Sequence, residues 1–97
     1  MKQNKQLVKI LLVDDDQEDI DLLMDLFANK KIRVDVDIAY NGVEAMGYLT
    51  ETVQKHREKL PNLIFLDLNM PVKNGHEVLH ELKTNEQLKK IPVIILT

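Results

Sequence analysis

Acidic and hydroxyl side chains lie where the short apolar runs of this chain end. Asp14-Asp15-Asp16 follows the first run directly, Asp67 follows a later one, and Thr97 ends the last. If these runs are parallel strands, their carboxyl ends share one edge of a sheet, where ligands gather. Carboxylates at one edge repel each other unless a cation joins them, and all-oxygen ligands suit Mg²⁺, which can then receive phosphate oxygens. The sequence therefore predicts an acidic cup holding Mg²⁺, with Asp67 in the middle and Thr97 at one side.

The apolar runs themselves predict a parallel sheet. Residues 8–13, 62–66 and 91–96 are continuously apolar or nearly so, which is typical of strands covered on both faces. Residues 33–39 instead alternate apolar and polar side chains, which predicts an edge strand with one face in water.

Helical periodicity fills the gaps between these strands. We expect a first helix over 17–29 with Asp16 as its N-cap, a second from Asn41-Gly42 to near His56, and a shorter third after Asn74-Gly75. The order βαβαβαβ predicts a three-layer α/β sandwich with a doubly wound parallel sheet, as one domain over 1–97. The side chains expected to face inward are Ile20, Leu23, Met24 and Phe27, widened by Leu22 and Leu26; Val43, Met46, Leu49 and Val53; and Val78, Leu79 and Leu82.

Composition excludes several classes of function. The 97 residues carry a net charge of −3 and only 2 Tyr and 2 Phe, which argues against a nucleic-acid-binding surface within this chain. The absence of Cys excludes a zinc-thiolate site and a thiol nucleophile. Because the sequence has no long apolar run and no export signal, we expect no contact with a membrane and a cytoplasmic location.

The chain ends on its fourth predicted strand. One face of the sheet then carries one helix and the other face carries two, so an apolar strand is left half covered. We expect either that the natural protein continues, which we prefer, or that another copy supplies the cover by forming a dimer or exchanging a segment.

Three ordered motifs carry a resemblance to a known family. They are residues 10–16, 67–75 and 91–97, each placed where a predicted strand ends. Over the whole chain they resemble the receiver domain of two-component response regulators, which implies a flavodoxin-like fold. The long connection 50–61 and the Asp-Leu-Asn form of the second motif are similar to the single-domain receivers partnered with phytochrome-type kinases.

The resemblance implies a role for each residue of the acidic cup. Asp67 would take a phosphoryl group from a sensor histidine kinase or a phosphotransfer protein and become an aspartyl phosphate. Asp15 and Asp67 would bind Mg²⁺ through their carboxylates, Asn69 through its backbone carbonyl, and Asp14 through a bound water. Thr97 would be the switch hydroxyl. Such a domain is a signalling switch rather than an enzyme.

The chain departs from the family pattern after its fourth strand. Receivers normally continue with a helix, a fifth strand ending in Lys and a last helix, and these 97 residues contain no counterpart of that Lys. If residue 97 is the natural terminus, its α-carboxylate adds a negative charge near the site. We therefore expect a truncated receiver that binds Mg²⁺ weakly and accepts phosphoryl groups poorly. In the loop before the third helix, we expect Gly75 to permit a positive φ.

Three other functions are weighed against this one. A receiver-like domain could dock a partner without taking phosphate, although the retained Asp15, Asp67 and Thr97 argue against lost chemistry. A phosphatase of the haloacid-dehalogenase kind needs D-x-D-x-[TV], and residues 14–18 lack the Thr or Val. A flavodoxin-like FMN protein would need a phosphate-binding loop where this chain has three acids.

Overall fold

A computed structural model describes residues 7–29 and 33–96. Each predicted strand and helix is present, in the predicted order. The strands are β1 Leu7–Val13, β2 Arg33–Ala39, β3 Leu63–Leu66 and β4 Val93–Ile95, and the helices are α1 Gln17–Ala28, α2 Gly42–Lys55 and α3 Gly75–Thr84, with a short 3₁₀ helix at Arg57–Lys59.

The four strands form one parallel sheet in the order β2-β1-β3-β4. This arrangement confirms the doubly wound parallel fold, because β1 lies at the centre and the chain crosses to either side of it. The strand β2 lies at an edge, and its residues alternate between exposed and half-buried positions as the sequence predicts. The carboxyl end of β1 therefore lies next to that of β3.

The two faces of the sheet carry different numbers of helices. Helices α2 and α3 pack on one face, where the buried side chains form a continuous apolar core. Helix α1 packs on the other face, where Ile20 is buried and the ring of Phe27 meets that of Phe65 edge-on at 5.4 Å between centroids. The core residues on the α2–α3 face are Leu11, Val13, Ala39, Ala45, Leu49, Ile64, Leu66, Met70, Val78, Leu82 and Leu88.

Four side chains expected to face inward are instead exposed. On α1, Leu22 is 60% exposed, and Met24 and Leu26 are exposed as well, because this helix meets the sheet through a narrow stripe led by Ile20. On α2, Val43 is 57% exposed. The buried stripe of α2 runs through Ala45, Leu49 and Thr52, and at 100° per residue Val43 points away from it.

The α1 face of the sheet leaves apolar surface in contact with solvent. Ile94 of β4 is 44% exposed, and Phe65 of β3 is only half-buried. The association of two copies through this face, or the exchange of a segment, stays a prediction. Within residues 7–29 and 33–96, no helix is both long and apolar enough to cross a membrane.

Helix α3 begins with a reciprocal cap that we expect to matter for stability. The Asn74 side chain accepts the backbone N–H of Glu77 at 3.0 Å, and the Glu77 carboxylate accepts the N–H of Asn74 at 3.0 Å. Replacing Asn74 with Ala should lower the free energy of unfolding by about 1 kcal/mol, measured by urea denaturation. Asn74→Asp keeps the acceptor and should stay near the wild type, and equal stability of the Ala variant would contradict the cap's role.

Candidate metal centre

Asp14 and Asp67 continue two neighbouring strands by one residue each. The Asp14 backbone N–H donates to the carbonyl of Ala39 at 3.0 Å, and the Asp67 N–H donates to the carbonyl of Val13 at 2.9 Å. Both backbones are thus fixed by the hydrogen-bond ladder of the sheet. Because β1 and β3 are parallel neighbours, their two side chains leave the same edge side by side.

Three carboxylates converge at this edge. Asp14, Asp15 and Asp67 each present one oxygen, and these three oxygens all lie within 4.8 Å of one another. Asp14 is 1% exposed and Asp67 is 6% exposed, whereas Asp15 reaches solvent. The structure therefore brings together the acids that the order of strand ends predicts. Two of the three carboxylates, Asp14 and Asp67, are buried, and the cup is open to solvent at Asp15.

Backbone N–H groups orient the two buried carboxylates. Asp14 Oδ1 accepts the N–H of Asp16 at 2.9 Å, and Asp67 Oδ1 accepts the N–H of Asn69 at 3.0 Å. In each case the partner lies two residues further along the chain, which is the Asx-turn pattern. Each side chain is therefore held by the turn that ends its own strand.

The other predicted residues of this region are Asn69, Asp16 and Thr97, and the Asp16 carboxylate lies outside the cup. Asn69 is exposed and touches Asp67 through its N–H, so a metal contact by its carbonyl stays a prediction. Asp16 caps α1 by accepting the N–H of Glu18 at 3.1 Å, as predicted. Thr97, predicted to supply the switch hydroxyl, lies outside the described residues; the residue before it, Leu96, donates its N–H to the carbonyl of Leu66 at 3.0 Å.

The loop between Asp67 and α3 differs from the prediction. Gly75 does not take a positive φ; Val72 does, at 68°. Gly75 is needed for close approach instead, because a Cβ there would overlap the Asp67 carbonyl oxygen and lie 2.5 Å from Leu68 Cα. The Gly75 N–H also donates to the Leu68 carbonyl at 3.2 Å. Glycine at this position therefore lets the start of α3 rest on the backbone that carries Asp67.

Two residues near this loop escaped the sequence reasoning. Gly42, at the start of α2, donates its N–H to the carbonyl of Lys73 at 3.2 Å, and the Lys73 ammonium meets the carboxylate of Glu81 at 2.6 Å. Neither contact has a signal in the sequence, since each joins elements that are distant along the chain.

Burial and neighbouring charges make Asp14 reluctant to ionise. The pKa of Asp14 is raised from 3.8 to about 6: burial is the largest cause, the hydrogen bond from the Asp16 N–H acts in the opposite direction, and the charge of Asp67 contributes to the rise. The pKa of Asp19 is also raised, first by the charge of Asp16. A bound divalent cation would favour the ionised form of Asp14, and the oxygen donors of the cup suit a hard cation.

We expect the affinity of this cup for Mg²⁺ to depend on pH. The pKa of Asp14 lies above its unfolded value, so its contribution to stability without metal is present below pH 3.8 and is lost as pH rises through about 6. Metal binding needs the ionised form, so affinity should rise about 10-fold between about pH 5 and about pH 7.5. Calorimetric titrations at both pH values measure this change. The Asp14→Asn variant should flatten it, and equal wild-type affinities at the two pH values would refute it.

Comparison with known proteins points to one family. The profile of the response regulator receiver domain matches residues 10–97. The response regulator Rcp1 of Synechocystis sp. is 42% identical over 88 residues, which is 91% of this chain and 60% of that protein. The crystal structure of a phosphorylated cyanobacterial phytochrome response regulator, RcpA, is similar with a TM-score of 0.84 and 41% identity, over 93% of this chain and 64% of that one.

A further solved structure bears on the acidic cup. The structure of the Mn²⁺-bound form of Rcp1 is similar with a TM-score of 0.84 and 41% identity, over 93% of this chain and 65% of that chain. The present chain thus spans less than two thirds of the length of these relatives. With a family match over residues 10–97 and the parallel sheet that such relatives share, the chain belongs to the response regulator receiver domain family.

Proposed function

We propose that the chain is a phosphoacceptor switch in which Asp67 takes a phosphoryl group from a sensor histidine kinase or a phosphotransfer protein. One observation carries the proposal: carboxylate oxygens of Asp14, Asp15 and Asp67 lie within 4.8 Å of one another at the carboxyl ends of two neighbouring strands. The Asn69 N–H holds one oxygen of Asp67 at 3.0 Å, so the carboxylate has a defined direction for attack. Two similar solved response regulators, one phosphorylated and one bound to Mn²⁺, support the same chemistry.

Transfer needs little from the protein beyond position and charge. An oxygen of Asp67 attacks the phosphorus in line, an acyl phosphate bond forms, and the phosphorus–nitrogen bond to the donor histidine breaks. The donor imidazole leaves with the electron pair of that bond. Bound Mg²⁺ would neutralise the charge that gathers on the phosphoryl oxygens. The metal would be held directly by the carboxylates of Asp15 and Asp67 and by the backbone carbonyl of Asn69, and through a water molecule by Asp14. The Thr97 hydroxyl would move toward the new phosphoryl group.

The partner kinase is proposed to be of the phytochrome type. The support is the similarity to a solved cyanobacterial phytochrome response regulator, together with the extended stretch 50–61, which contains the end of α2 and the short 3₁₀ helix. We further propose a cytoplasmic location, since such kinases present their phosphohistidine there. Poor acceptance by the 97-residue chain itself stays a prediction.

Phosphorylation is tested with a small donor. The protein, produced at the full length of its reading frame, is incubated with acetyl phosphate and Mg²⁺ and followed by intact mass. We expect a gain of one phosphoryl group per chain that requires Mg²⁺ and is removed by hydroxylamine, as an acyl phosphate is. No gain under conditions that label a known receiver would overturn the proposal.

Two further measurements distinguish the alternative functions from a phosphoacceptor. A phosphatase of the haloacid-dehalogenase kind would release phosphate from a phosphomonoester over many turnovers, whereas an acceptor stops at one label per chain. A docking module would bind its partner equally well with Asn at position 67. Either result would replace the acceptor with that function.

A further inference from the structure

Lys73 makes hydrogen bonds to two different helices, one through its backbone carbonyl and one through its side-chain ammonium. Its carbonyl accepts the Gly42 N–H at the start of α2, at 3.2 Å. Its ammonium donates to Glu81 in the middle of α3, at 2.6 Å, and the side chain is only 24% exposed. A half-buried pair with such a short contact holds its two partners more firmly than an exposed one.

The contact with α2 leaves no free space. A Cβ on Gly42 would overlap the Lys73 carbonyl oxygen and would lie 2.7 Å from Lys73 Cγ. The first turn of α2 therefore rests directly on the backbone of the loop that follows Asp67. This contact prevents the loop from moving toward α2, while the Glu81 pair holds it against α3.

The residue just before Lys73 adopts a conformation that needs such support. Val72 has a φ of 68° and is 83% exposed, so its own side chain makes little contact that could hold it there. A β-branched residue in the left-handed region is strained, and it persists only where its surroundings fix it. Behind it, Gly75 rests on the Asp67 carbonyl, and the Asn69 N–H binds Asp67 Oδ1. The loop that contains the strained Val72 therefore also contains the backbone N–H that orients the Asp67 carboxylate.

We propose that Lys73 is a positioning residue for the acceptor carboxylate: its two ties hold the loop 68–74 in the strained form that directs Asp67 into the acidic cup. This inference rests on the proposed function. The Lys73 ammonium is paired with Glu81, so Lys73 acts on Asp67 through Val72 and the loop backbone. When the Glu81 tie is lost, Val72 can relax to a negative φ and the Asp67 carboxylate loses its fixed direction.

The test compares Lys73→Met with Lys73→Arg in the full-length protein. We expect Lys73→Met to weaken Mg²⁺ binding and to slow labelling by acetyl phosphate, each by roughly 3- to 10-fold, since small misplacements of a reacting group have effects of this size or larger. Lys73→Arg keeps a donor to Glu81 and should stay within about twofold of the wild type. Circular dichroism at the assay temperature confirms that both variants are folded.

The direction of the effect separates positioning from charge. Removing a positive charge near three carboxylates would by itself strengthen Mg²⁺ binding, so weaker binding reports a misplaced ligand. Lys83→Met removes the same charge at an exposed position of α3, the helix that carries Glu81; it is the matched control and should change neither measurement. Unchanged or tighter Mg²⁺ binding in Lys73→Met, with a wild-type protein that labels normally, would overturn the role of Lys73 and leave the proposed function intact. A wild type that does not label would overturn the proposed function before any variant is made.

Discussion

Replacing Asp67 with Asn should abolish incorporation of phosphate from acetyl phosphate, the largest change in activity that we expect from any single substitution. The amide cannot attack phosphorus to give an acyl phosphate, and in the proposed mechanism the other two carboxylates of the cup bind the metal. Asp67 and Asp14 are held by equivalent turns, but Asp14 is 1% exposed and Asp67 is 6% exposed, so Asp67 is the more accessible of the two buried carboxylates. The label is measured by intact mass and mapped to a residue after borohydride reduction of the acyl phosphate.

A variant of Asp15 tests its role as a metal ligand, and a variant of Asp25 is the control. Asp15→Asn keeps the acceptor but removes the exposed metal ligand, so its labelling should fall on the order of 100-fold and recover partly at high Mg²⁺ concentration. Asp25→Asn, an exposed acid on α1 outside the cup, makes the same chemical change and should label normally. A label of wild-type amount on the Asp67→Asn protein would show that another residue is the acceptor.

Patterns local to the chain could predict most of the sheet. Val34, Val36 and Ile38 alternate with polar residues, and they occupy the edge strand with their side chains half-buried on one side, as predicted. Continuous apolar residues predicted the central strands for an equally direct reason, since α2 and α3 pack on one face of β1 and β3 and α1 packs on the other. Because parallel strands end at one edge, the convergence of Asp14 and Asp67 followed from the chain direction alone.

Features that depend on contacts between distant segments could not be predicted. The sequence offers no sign that Lys73 meets Gly42 and Glu81, or that Val72 rather than Gly75 takes the positive φ. A glycine in a turn suggests that the backbone needs a positive φ. At Gly75 the requirement is instead for space, because the backbone just after β3 lies too close for a Cβ, and only the packed structure reveals this contact. The exposure of Leu22 on α1 has a similar origin, because periodicity marks an apolar stripe without saying how wide the surface opposite it is.

Gly75→Ala, at the first residue of α3, should cause a larger loss of stability than Asn74→Ala. The new Cβ would overlap the Asp67 carbonyl oxygen and come within 2.5 Å of Leu68 Cα, both of which are backbone atoms that no rotamer change can move. Forcing extra atoms into so tight a contact typically costs about 1–3 kcal/mol. The loss should appear in the free energy of unfolding from urea denaturation. Mg²⁺ affinity should fall as well, because the displaced backbone carries Asp67.

Gly47→Ala provides the matched control, since the same methyl group is added at another helical glycine. A Cβ on Gly47 meets nothing within 4 Å, and its position in the middle of α2 favours Ala over Gly by up to about 1 kcal/mol. The two variants should therefore change stability in opposite directions, and the helix preference common to both cannot explain the difference. If Gly75→Ala were as stable as Gly47→Ala, the start of α3 would not rest on the acceptor strand, and the glycine at position 75 would have to be explained by something other than close approach.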